Sequence, residues 1–324
     1  MRQRRRTPKN ETARRWRAQK KLVKKLILCI VLASLAELAA YGSSNAAAFG
    51  SASVTPARPA APKVPTCPRA LQTNASVLNP TTWYLTLPVG APAAFGPPIP
   101  IDGLPDRDSA YFYPTYSGSG YNGTLESVTF YAPYGPGSAT TANSTFARSE
   151  LREVSNDAQT INAKGDWSLS TAQRTLYATL RIDNINQGRA GSGLIIGQIH
   201  SDPSTDGEVI KLYYRSDGTI HASYDDQKGE TPGVLPLPRL TIPLRQAFSY
   251  EIDVNKGVVT VGILYNSQCY SASYNAIAYT KAHNKTWTKT GEGFYFKAGD
   301  YNQDDTDPIN SSQDTFTSIL VSTY

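Results

Sequence analysis

Short runs of alternating β-branched and aromatic residues recur along this chain from about residue 80 onward, and they leave little room for helices. Trp83-Tyr84-Leu85-Thr86-Leu87 is the first, and it ends at Pro88. Ser127 to Tyr131, Thr175 to Ile182, Leu194 to Ile199, Val209 to Tyr214, Thr219 to Tyr224, Phe248 to Val254, Val258 to Tyr265 and Thr315 to Val321 repeat the pattern. Alternation with a period of two sends one set of side chains into a core and the other outward, as a half-buried strand requires. Turn pairs such as Asp217-Gly218 and Lys256-Gly257 bound the runs. With 20 Tyr and a single Met, the composition suits pleated sheets better than helices. Regular short strands with turn signals predict an all-β fold, a sandwich or jelly roll of two antiparallel sheets, a fold that often curves one sheet into a groove able to receive a long polymer.

The N-terminal part reads differently. Residues 1–49 carry 12 Lys and Arg against 2 Asp and Glu, so the formal charge of +6 belongs to this leader. The remainder has 20 basic and 24 acidic side chains, a net charge of −4. A nucleic-acid surface needs clustered positive charge on the folded part, and none is expected here. Leu26 to Ala40 is an apolar run of 15 residues broken by Glu37. That length fits a signal-peptide core better than a membrane span of ~20 residues. Residues 1–48 are therefore read as a signal peptide or membrane anchor, with membrane association only if the leader stays uncleaved. Residues 49–66 are a Pro/Ala-rich linker, and residues 67–324 form one domain, expected to be extracellular and monomeric. Cys29 would leave with the leader, and Cys67 and Cys269 remain as an even pair in an exported chain, so a disulfide between them is expected.

Three segments carry ionisable rows. In Arg148-Ser149-Glu150-Leu151-Arg152, residues 148, 150 and 152 share a strand face. In Gly197-Gln198-Ile199-His200, Gln198 and His200 share one while Ile199 turns to the core. In Tyr295-Phe296-Lys297-Ala298-Gly299-Asp300-Tyr301-Asn302-Gln303, residues 295, 297, 299, 301 and 303 align opposite Phe296 and Ala298. Read singly, Arg148 with Glu150 fits a surface ion pair, and His200 fits a satisfied structural histidine. No Cys or His cluster has zinc-ligand spacing, and Asp304, Asp305 and Asp307 read as a solvated loop, so no metal is expected. Glu251 and Asp253 share a strand face as a glycosidase pair would, but nothing completes that site.

Taken together, RSELRE (148–153), QIH (198–200) and YFKAGDYNQ (295–303) resemble, in order and spacing, the signature blocks of the family 7 polysaccharide lyases, the alginate lyases. TWYLTLPVG (82–90) and TTANSTFARSELRE (140–153) extend the resemblance over most of the chain from about residue 80. It implies a jelly roll whose concave sheet is the cleft, an acidic polysaccharide (alginate) as substrate, β-elimination as the reaction, and no cofactor. Elimination removes the proton at C5 of a uronate, which becomes acidic enough only when the neighbouring carboxylate is neutralised. Arg148 and Gln198 match the neutralising positions. Tyr301 matches the catalytic tyrosine, acting alone where both protons lie on one side of the ring, with His200 as the base where they do not. Glu150, Arg152, Lys297, Gln303 and Tyr295 are candidates for binding adjoining sugar units. QIH, with Ile199, implies acceptance of guluronate-containing blocks. Two other readings stay open: a lyase for another polyuronate such as glucuronan, and a non-catalytic carbohydrate-binding sandwich.

Overall fold

Two sheets form because inward side chains along most strands are apolar and must be covered from the other side. The computed structural model describes residues 83–89, 95–99, 109–118, 123–134, 138–141, 144, 146–153, 167–185, 193–202, 207–225, 231–283, 285, 287, 293–304 and 310–324. The expected leader, the linker and Cys67 lie outside the described residues. The strands are β1 (Trp83–Thr86), β2 (Phe95–Ile99), β3 (Phe112–Ser117), β4 (Thr124–Pro133), β5 (Arg148–Glu153), β6 (Gln173–Asn184), β7 (Gly193–Asp202), β8 (Glu208–Arg215), β9 (Ile220–Tyr224), β10 (Gly233–Val234), β11 (Phe248–Asn255), β12 (Val258–Tyr265), β13 (Gln268–Asn275), β14 (Gly293–Asn302) and β15 (Ser311–Thr323). A single described helix, α1 (Ala276–His283), follows β13.

One sheet has eight strands in the order β10-β9-β8-β7-β14-β5-β1-β2, and the other has seven, β13-β12-β11-β6-β15-β4-β3. All pairings are antiparallel, as expected of a jelly-roll sandwich. Leu176, Ala178, Leu180 and Ile182 of β6 join Phe294, Phe296 and Ala298 of β14 in one continuous core. The four strands that alternation failed to announce, β2, β3, β10 and β13, are the four sheet edges. An edge strand needs a partner on one side only, so proline is tolerated there, as in FGPPI of β2 and FYPTYS of β3.

Two irregularities tune the central strands. Ala298 to Tyr301 on β14 spans one residue more than its partner stretch, Gly197 to Ile195, on β7. Gly299 absorbs the difference with φ +131°, where a Cβ would meet the Ser149 carbonyl oxygen at 2.7 Å. At Gly197 a Cβ would press the Tyr250 hydroxyl at 2.8 Å, and that hydroxyl donates to the Ile196 carbonyl at 2.7 Å.

Candidate functional site

Strand register brings the three ionisable rows together on the outer face of the eight-stranded sheet. β5 and β7 flank β14 on either side. Lys297 therefore stands opposite Arg152 on one neighbour and Gln198 on the other. Tyr301 stands opposite Arg148 and Ile195, Gly299 opposite Glu150, and Tyr295 opposite His200. Phe296, Ala298, Leu151 and Ile199 turn inward to the core, as the alternation of each block predicts.

Glu150 is the hub, with 1% of its surface exposed. Its carboxylate accepts from Arg148 Nη1 at 3.2 Å, from Gln198 Nε2, and from Lys297 Nζ in an ion pair. Burial alone would raise its pKa, but Lys297 and Arg148 more than offset that and hold it below the ordinary carboxylate value. Burial acts the other way on Lys297, lowering its pKa to about 8 despite the partner charge of Glu150. Near neutral pH the group is an anion holding two cations and an amide in fixed positions.

At one end of the row the His200 ring stacks on Tyr295, 5.5 Å between centroids and 14° between planes. The Arg152 guanidinium also lies over the Tyr295 ring, 3.7 Å from its centroid. His200 Nδ1 lies 2.8 Å from the Ser201 carbonyl oxygen, an acceptor only, so Nδ1 carries the proton and Nε2 has a free lone pair. Burial lowers the His200 pKa to about 4, with Lys297 and Arg148 adding to it and Glu208 opposing. The imidazole is thus neutral at physiological pH. Glu208 Oε1 lies 3.8 Å from Nε2 and is itself paired with Lys211 at 3.2 Å.

At the other end the Arg148 guanidinium covers the Tyr301 ring at 3.6 Å. Phe146 meets that ring edge-on, and Ile195 and Tyr213 pack beside it. The phenol oxygen lies 2.8 Å from Ser144 Oγ, which also accepts from the Phe146 amide. Ser144 was not singled out by the sequence, although it lies within the TTANSTFARSELRE stretch. Glu208 and Lys211 were missed as well, because β8 carries no signature block.

Of the nine sequence-predicted site residues, eight lie on the strands of this surface, and the ninth, Gln303, lies one residue past β14 with its backbone amide donating to the Gly193 carbonyl at 2.9 Å. Its side chain donates to the neighbouring Asn302 carbonyl at 3.3 Å. Glu251 and Asp253 lie on β11 of the other sheet, where Asp253 accepts from Thr175 and Tyr324. Among the described residues no three His, Cys, Asp or Glu side chains gather as metal ligands would.

The alginate lyase family model matches residues 78–323. An alginate lyase from Klebsiella pneumoniae is 29% identical over 232 residues, which span 58% of this chain and 73% of the relative. Among solved structures, an alginate lyase from Pseudomonas aeruginosa is similar with a TM-score of 0.57 and 31% identity, covering 76% of this chain and 100% of its own. The family 7 alginate lyase A1-II′, as a His-to-Asn and Tyr-to-Phe double variant in complex with substrate (GGMG), gives a TM-score of 0.57 and 26% identity over 75% of this chain and 92% of its own.

Proposed function

The chain belongs to the alginate lyase family, which it matches over residues 78–323, and on that premise we propose that it cleaves alginate by β-elimination around Arg148, Gln198, His200 and Tyr301. In the reaction, the C5–H bond and the C4–O4 bond break and a C4–C5 double bond forms. One proton leaves C5 and one arrives at O4, so the atoms balance without a redox partner. Arg148 and Gln198 receive the uronate carboxylate and stabilise the charge that builds as C5 loses its proton. His200, neutral and with Nε2 open, is the base for guluronate, and Tyr301 is the acid that protonates the leaving oxygen. For mannuronate, Tyr301 serves both steps.

The observation that carries this reading is the shared anchor. Arg148, Lys297 and Gln198 all lean on Glu150, between an imidazole at one end of the row and a phenol at the other. Arg148 Nε and Gln198 Oε1 are buried without a hydrogen-bond partner within the protein, so neither side chain is fully committed to Glu150. Glu150, with its oxygens engaged, positions the others and does not touch the sugar. Arg152, Tyr295 and Lys297 contact adjoining units. The neighbour that was solved with GGMG carries changes at a His and a Tyr, the same two residue types. Endo cleavage, acceptance of guluronate blocks, export after leader cleavage and a Cys67–Cys269 disulfide complete the proposal.

The test is incubation of the purified protein with alginate, polymannuronate, polyguluronate and glucuronan while ultraviolet absorbance of the unsaturated product is followed. Absorbance should rise with the first three, and Tyr301→Phe should abolish the rise while leaving polymer binding in place. A rise with glucuronan alone moves the substrate elsewhere. Binding with no rise on any polymer makes the protein a carbohydrate-binding sandwich.

A further inference from the structure

We propose a second uronate-binding subsite, remote from the point of cleavage, at the β8–β9 end of the same sheet face, where Arg215 and Arg239 receive a sugar carboxylate. This rests on the polyuronate reading above and extends it to an outlying unit of the chain. Tyr301, Ile195, Tyr213 and His221 stand opposite one another on β14, β7, β8 and β9, so one row of side chains leads straight from the phenol to this end. Three strand spacings separate Tyr301 from His221, ~14 Å at ~4.8 Å each, which is more than one sugar ring. A polymer lying across the strands at Tyr301 is carried along that row.

The row opens into a pocket of about 350 Å³ lined by Arg215, Asp217, Thr219, Ile220, His221, Leu237 and Arg239. That volume sits at the small end of ligand sites and suits a single ring. Arg215 shares the face of Tyr213 by strand alternation, and its guanidinium lies 4.3 Å over that ring, which limits its freedom before a ligand arrives. Arg239 is exposed on the facing segment. Among the described residues lining the pocket the one carboxylate is Asp217, whose Oδ1 accepts from the Thr219 hydroxyl at 2.6 Å and the Thr219 amide at 3.0 Å, bonds that together with the Arg239 charge hold its pKa below the ordinary value. Two guanidiniums against one carboxylate leave this lining net positive, which favours an anion, and guanidinium forks match a carboxylate in geometry.

The experiment compares the unaltered protein with Arg215→Ala/Arg239→Ala on a uronate trisaccharide and on chains of eight or more units. KM for the long chains should rise roughly tenfold, in line with the loss of two charge-assisted contacts of which one is exposed. Kinetics on the trisaccharide, which places at most two units on the pocket side of the cleaved bond, should stay at the starting values. Arg215→Lys/Arg239→Lys should restore much of the long-chain KM, which a folding defect would not allow. An unchanged long-chain KM overturns the subsite, and so do equal losses on both lengths. Failure of the underlying reading shows separately, as no absorbance rise from the unaltered protein on any polyuronate.

Discussion

At the scale of single residues, the candidate site holds opposite charges fixed in place around Glu150. Glu150 is where that can be tested. Glu150→Gln leaves Arg148 and Lys297 buried without their counter-charge, which should cost about 3 kcal/mol of stability, read by denaturant unfolding. It should also lower kcat about a hundredfold, because the carboxylate-binding donors lose their fixed orientation. The titrating groups make a second prediction. Protonation of His200 removes the base, and its pKa is lowered to about 4, so kcat/KM should hold steady as pH falls through 6.5 and decline only near 4. Loss of the Lys297 proton removes a cation from the row, so the alkaline limb should lie near 8. Lys297→Arg, which stays protonated, should push that limb upward. An acid limb near 6.5 in the pH profile would contradict the assignment of His200 as a buried, neutral base.

At the scale of elements, β14 is decisive because it pairs with β5 on one side and β7 on the other while accommodating a bulge. Gly299→Ala places a Cβ against the Ser149 carbonyl at a backbone angle few side chains adopt. It should cost about 2–3 kcal/mol in denaturant unfolding and reduce turnover by shifting Lys297 and Tyr301 relative to each other. Much of this was legible in the sequence. Period-two alternation announced the central strands, and the face shared by Arg148, Glu150 and Arg152 follows from spacing alone. The edges were not legible. β2 and β3 carry prolines and β13 a run of small polar residues, which weaken the alternation wherever a strand has one neighbour. Contacts between strands distant in sequence were equally hidden. Nothing local in Glu208 or Lys211 says that β8 sits beside His200, and Ser144 bonds to a phenol 157 residues away.

At the scale of the whole molecule, the sandwich encloses two acids. Asp300 of β14 and Asp314 of β15 are fully buried between the sheets, and Ser312 donates to Asp300 at 2.6 Å. Burial raises the pKa of both, with Glu150 adding to it for Asp300 and Asp300 adding to it for Asp314. The folded state therefore holds protons that the unfolded chain, with ordinary carboxylates near ~3.9, has released. Stability from these groups is complete below that value and is lost as pH rises toward the raised folded values. Asp314→Asn removes the penalty, so it should stabilise the protein increasingly with pH, by ~1 kcal/mol or more at pH ~8 relative to pH ~5 in denaturant unfolding. A constant difference across that range would mean that Asp314 ionises normally in the fold.

The chemistry proposed for this fold is elimination, and the masses of its products test it most directly. A defined alginate oligosaccharide digested to two fragments should give fragment masses that sum to the intact substrate, one fragment carrying the C4–C5 double bond. A sum larger by one water molecule would mean hydrolysis, and the proton transfers assigned to His200 and Tyr301 would then be wrong.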